Sequence, residues 1–279
     1  MYRRHIPEQR IPGRRLGRHV KHDPRSLHYL YPAHKVSGLA SVRHDRGIPV
    51  LDQGDLGSWT GNAAEGACGT GALYAAIPGT IPARPTGSPV ADEDQAIALY
   101  STATKVDSYD GSWPPDDTGS DGLSVAKACQ HAGLISGYTH CTDLNSALAA
   151  LSQQPVIAGI NWYDSFDEPD ADGNITIGRR AQVRGGHEIC LDELDVEGQR
   201  VGFTNSWGTG WGVDGRAYIS WADFKRLLSE DGDVTVFTPL DQPAPTPIPP
   251  APSDPLGELA DLLKKFMDNI GSWLKSHGF

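Results

Sequence analysis

The stretch from Asp52 to Ala64, Asp-Gln-Gly-Asp-Leu-Gly-Ser-Trp-Thr-Gly-Asn-Ala-Ala, constrains the fold of this chain more than any other. The residues from Ile48 ahead of it read as a short strand, and Gln53-Gly54 as the turn that ends it. From Thr60 to Ala76 the chain is mostly Ala, Gly and other small residues, with Leu73 and Tyr74 near the end. Each glycine lowers intrinsic helix propensity by about 1 kcal/mol relative to Ala. Small side chains also let neighbours approach from every side, so the expectation is one helix over Thr60–Ala76, buried at the centre of the molecule.

Three later motifs matter. Gly119-Ser120-Asp121-Gly122 precedes a short apolar helix, and Gly185-Gly186-His187 opens an apolar strand running to Leu191. Asn205-Ser206-Trp207-Gly208-Thr209-Gly210-Trp211-Gly212 is the most specific motif of all. Each alone is a weak signal: a glutamine in a turn or a histidine before a strand is most often structural. Together, in order and spacing, they resemble the active-site segments of papain-like cysteine peptidases, in particular the shorter bacterial and phage-type members. The resemblance covers about residues 46–238. It implies an α+β fold in two parts: a helical half with a long central helix, a β-barrel-like half, and a cleft between. It also implies that His187 is the base, that Asn205 orients its ring and that Trp207 shields their bond. Gln53 would donate to the oxyanion, and Gly119 and Ser120 would border the cleft wall. Trp59 stands where the family has its nucleophilic cysteine.

Acyl transfer from an amide needs a nucleophile, a base, a group that orients the base and donors for the oxyanion. An indole offers one N–H donor and no nucleophile, and it should fill the space of a scissile carbonyl. Ser58 is adjacent, but consecutive helical side chains diverge by about 100°, so it serves only if the register shifts by one. Cys68 is nine residues on, about 13.5 Å along a helix, and Cys190 should face the other side of the His187 strand. The leading expectation is therefore a pseudopeptidase, a peptidase scaffold without hydrolysis that binds peptide or protein. A structural component of a larger assembly, such as a phage particle, and an active enzyme with a non-standard nucleophile are the alternatives.

Regions outside the core favour the adaptor idea. Residues 1–25 hold eight Arg/Lys and two acids, so the first 45 residues form a basic, extended arm on a body that is otherwise acidic, the net charge being −11. Such an arm wraps the body, docks elsewhere or stays solvated; nucleic acid is the minority reading. Prolines crowd residues 239–255 and favour an extended linker. Beyond it Leu259, Leu263, Phe266, Ile270 and Trp273 form an apolar stripe on a helix over 256–279. A helix this short is marginal alone, which makes self-association or docking its expected use. No apolar run approaches the ~20 residues of a membrane span, and the N-terminus lacks a secretory signal, so a cytoplasmic or virion-associated location is expected. The glycines match no phosphate-binding loop and no ligand cluster has metal spacing, so no cofactor is expected. Cys68, Cys129, Cys141 and Cys190 read as free thiols, with a Cys129–Cys141 bridge left open.

Overall fold

The computed structural model describes residues 2–5, 16, 19–22, 29–31 and 38–247. Contacts divide the chain into Met1–Thr246 and Pro247–Phe279; the helix expected over 256–279, with Leu259, Leu263, Phe266, Ile270 and Trp273, lies outside the described residues.

In the arm, β1 (Tyr2–His5) pairs antiparallel with β2 (His19–His22). A short strand, β3 (Val42–Arg43), leads to the helical half: α1 (Trp59–Cys68), α2 (Gly71–Ala76), α3 (Pro89–Val106) and α4 (Gly122–His131). There follow β4 (Gly137–Cys141), α5 (Leu144–Leu151), β5 (Val156–Tyr163), β6 (Asn174–Ile175), β7 (Val183–Asp195), β8 (Arg200–Thr204), β9 (Arg216–Ser220), α6 (Trp221–Ser229) and β10 (Asp233–Thr238). The sheet runs β4-β10-β5-β7-β8-β9-β6, with β3 attached to β7. Every pairing is antiparallel except β6 with β9. The fold is α+β in two parts, as expected, but the sheet is open and does not close into a barrel.

The apolar residues sort by face. Val156, Ala158 and Ile160 of β5, with Ile189 and Leu191 of β7, join α5, α6 and the aromatic residues in one core. Ile157 and Cys190, the intervening positions, pack instead with α1, α3 and α4. That alternation is the two-residue period of a strand. Because β5 is covered on both faces, all eight of its residues are buried.

The central helix is shorter than expected. Gly47 N–H donates to Gly69 O at 2.8 Å and Gly71 N–H to Asp45 O at 2.8 Å, so residues 45–47 pair with the chain where the helix should continue. Gly71 adopts φ +54°, a left-handed conformation that interrupts the helix and that glycine takes most readily. A Cβ on Gly69 would lie 2.6 Å from Ile48. The long helix is α3, which begins at Pro89 behind a Ser88 cap. All ten residues of α1 are buried, as its small side chains suggested. The four cysteines are free and buried. Cys129 lies in the helical core and Cys141 in the sheet core, so the bridge between them is not formed.

Candidate active site

Pairing of two distant turns builds the site. Gln53 N–H donates to Ser206 O at 2.9 Å, and Gly208 N–H to Leu51 O at 3.0 Å. The Gln53 side chain is fixed at both ends: Oε1 accepts from Ser206 Oγ at 2.6 Å, and Nε2 donates to Leu56 O at 2.8 Å.

His187 lies within β7 rather than at its start, because Val183 and Gly185 already pair with β5. Its Nε2 is 2.7 Å from Asn205 Oδ1, which also accepts from Ser206 N–H at 2.8 Å. With Asn205 offering a carbonyl oxygen, the proton sits on Nε2 and Nδ1 carries a lone pair; Nδ1 has no hydrogen-bond partner. Trp162 stands edge-on to the ring at 4.9 Å between centroids, and Trp207 lies tilted at 5.1 Å. Asp167 anchors the surrounding aromatic residues, accepting Trp162 Nε1–H on its carboxylate at 3.1 Å and Trp211 Nε1–H on its carbonyl at 3.0 Å. His187 is fully buried, and burial pushes its pKa down to about 4 against the opposing effect of the Asn205 bond. At neutral pH the imidazole is uncharged.

Trp59 is the first residue of α1 and is 1% exposed. Its ring folds back over Gly57: a Cβ there would lie 2.8 Å from Cη2 and Cζ3. The indole N–H has no hydrogen-bond partner. Gly57 N–H donates to the Asp117 carboxylate, which also accepts from Tyr100 Oη at 2.6 Å. Tyr100 Oη in turn accepts from Gly119 N–H at 2.9 Å, tying the turn before α1 to residues 119–120. Ser58 precedes α1 without capping it through its side chain and donates its hydroxyl to Asn62 Oδ1 at 2.7 Å; Asn62 Nδ2 donates to Glu93 Oε1 at 2.6 Å. The hydroxyl is therefore turned toward α3, and the helix starts at Trp59 with no shift of register. Cys68 closes α1 at its far end, and Cys190 faces the helical core.

Residues 118–120 carry part of the arm. His19 N–H donates to Ser120 O at 3.2 Å, its Nε2 lies 2.6 Å from Thr118 O, and its ring stacks on Tyr109 at 3.8 Å. Ser120 Oγ donates to Asp107 Oδ2 at 2.9 Å. The structure thus brings together His187, Asn205, Trp207 and the Gln53 turn, and sets Ser58 apart. Trp162, Tyr100 and Asp117 were not among the candidates. Trp162 was findable from strand parity, because Ile160 pairs with His187 and Trp162 shares its face. Tyr100 and Asp117 leave no local signal.

The fold is that of the papain-like cysteine proteases. Xylellain, a cysteine protease from Xylella fastidiosa, matches with a TM-score of 0.60 over 86% of this chain and 98% of its own, at 17% identity. The digestive procathepsin L 3 of the Tenebrio molitor larval midgut matches with a TM-score of 0.55 over 76% of this chain and 74% of its own, at 18% identity. At such identity the likeness is one of fold. No protein-family model and no curated protein sequence matches the chain.

Proposed function

We propose that this chain is a papain-like module without peptide hydrolysis, acting by holding an extended peptide or protein segment. The observation that carries the reading is the entrance of α1, where a buried indole takes the place of a nucleophile and the Ser58 hydroxyl is committed to Asn62. In this reading His187 and Asn205 are a remnant base and its orienting partner, with no thiol to deprotonate. The pairing of His19 with Ser120 supports the binding half of the proposal, since it is extended backbone laid on the wall. The adaptor reading, a part of a larger assembly such as a phage particle, draws on the basic arm and on residues 239–279, and nothing among the described residues adds to it.

Peptide hydrolysis under reducing conditions tests the proposal, comparing the wild type with Trp59→Cys, each with and without His187→Ala. The wild type should be inert. Trp59→Cys should cleave, because in this reading it restores a thiol at the nucleophile position that the neutral, Asn205-bound imidazole would serve as base, and His187→Ala should abolish that cleavage. Wild-type turnover that requires His187 would overturn the proposal.

A further inference from the structure

Between α1 and the strands β7 and β8 lies a small cavity whose polar lining comes from Arg46, Asn62, Glu188, Thr204, Asn205 and Ser206. It opens about 10 Å³ to the centre of a water-sized sphere, which is room for one water molecule. Two donors on the lining residues are buried and have no hydrogen-bond partner in the protein, Asn205 Nδ2 and Arg46 Nε. The rest of each group is committed. Asn205 Oδ1 accepts from His187 Nε2–H and from Ser206 N–H. Arg46 Nη1 donates to Gly66 O at 3.4 Å and Nη2 to Pro49 O at 3.2 Å. A Cβ on Gly66 would lie 3.0 Å from Nη1 and 3.4 Å from Cys190 Cβ, so glycine there gives the guanidinium room between α1 and β7. A buried donor without an acceptor is costly, and in a polar cavity of this size water meets that need where an apolar group would not.

We propose that this cavity is a binding site for a single water molecule that bridges Asn205 to Arg46, making Arg46 a positioning residue for His187. The water accepts from Asn205 Nδ2–H and from Arg46 Nε–H. Acceptors for its two protons line the same space: Ser206 Oγ, whose own proton goes to Gln53, and Asn62 Oδ1, which takes one bond from Ser58 and has a second lone pair. The Asn205 amide is then held at both ends, its oxygen by His187 and Ser206 and its nitrogen, through water, by Arg46. No step of peptide hydrolysis enters this inference, so it stands or falls separately from the proposed function.

The first test needs no variant. A crystal structure of the full-length wild type, at a resolution that shows ordered solvent, should place one water within hydrogen-bond distance of both Asn205 Nδ2 and Arg46 Nε. The second uses Ala63, which lines the cavity from α1. Ala63→Val adds two methyl groups there and should expel the water. The His187 Nε2–H proton resonance, held downfield by the bond to Asn205, should then move upfield. Ala63→Ser also intrudes on the cavity but brings a hydroxyl that can take the water's place, so its resonance should stay near the wild-type position. A wild-type cavity without solvent density would overturn the proposal, as would a water that touches neither Asn205 nor Arg46. An unmoved His187 resonance in a folded Ala63→Val that has lost the water, or an equal shift in Ala63→Ser, would overturn the positioning role.

Discussion

His187 and Glu65 set opposite pH limits on this protein. The His187 pKa falls from 6.5 to about 4 through burial, so between those values the unfolded chain takes up a proton that the folded chain refuses. Stability from this group is complete above about pH 6.5 and is lost as pH falls through about 4, an effect of about 3 kcal/mol at most. Glu65 on α1 is buried, its carboxyl makes no hydrogen bond, and desolvation with the nearby Asp92 raises its pKa from 4.5 to about 9. Here the unfolded chain ionises first, so stability declines as pH rises from 4.5 to about 9. Two outcomes follow. The His187 ring, followed by nuclear magnetic resonance, should stay neutral down to about pH 4 and titrate lower still in Asn205→Ala. Glu65→Gln should raise the thermal midpoint far more at pH 8 than at pH 5. Gln53, Trp59, His187 and Asn205 were legible in the sequence because each sits in a recognisable local motif. The depth at which Glu65 lies was not, since it depends on α1 being covered on every side.

The break between α1 and α2 shows what a helical element owes to its neighbours. Residue types alone gave a continuous helix, and they described the packing of α1 correctly. They carried no trace of the 45–47 segment that pairs at Gly69 and Gly71, because that contact comes from outside the element. The open sheet is a similar case: strand positions follow from apolar alternation, whereas closure depends on pairing between distant edges. Tyr100 is the strongest test at this scale. Its hydroxyl, on α3, links Asp117 to Gly119 and so connects the turn before α1 to the segment before α4. Tyr100→Phe leaves a buried N–H and a carboxylate each short of a partner, and should cost about 1–3 kcal/mol in chemical unfolding. An unchanged midpoint would mean that the link is incidental.

Across the whole molecule, the arm proves more than a charged extension. Leu16 is 1% exposed and belongs to the sheet core, and Tyr31 N–H donates to His140 O at 2.9 Å. Leu16→Ala should therefore destabilise the protein by about 2–5 kcal/mol, as a core truncation does; a loss below 0.5 kcal/mol would place Leu16 at the surface. Sequence could not reveal this, because a lone leucine among Arg, Gly and Pro has no periodicity to read.

Gln53 and Ser206 are bonded across 153 residues of chain. Segments so far apart in sequence are held side by side only by the folded domain around them. The amides of Gln53 and Gly208, which donate across that junction, should exchange their hydrogens with solvent only through global opening. Their exchange rates would then report the stability of the entire domain.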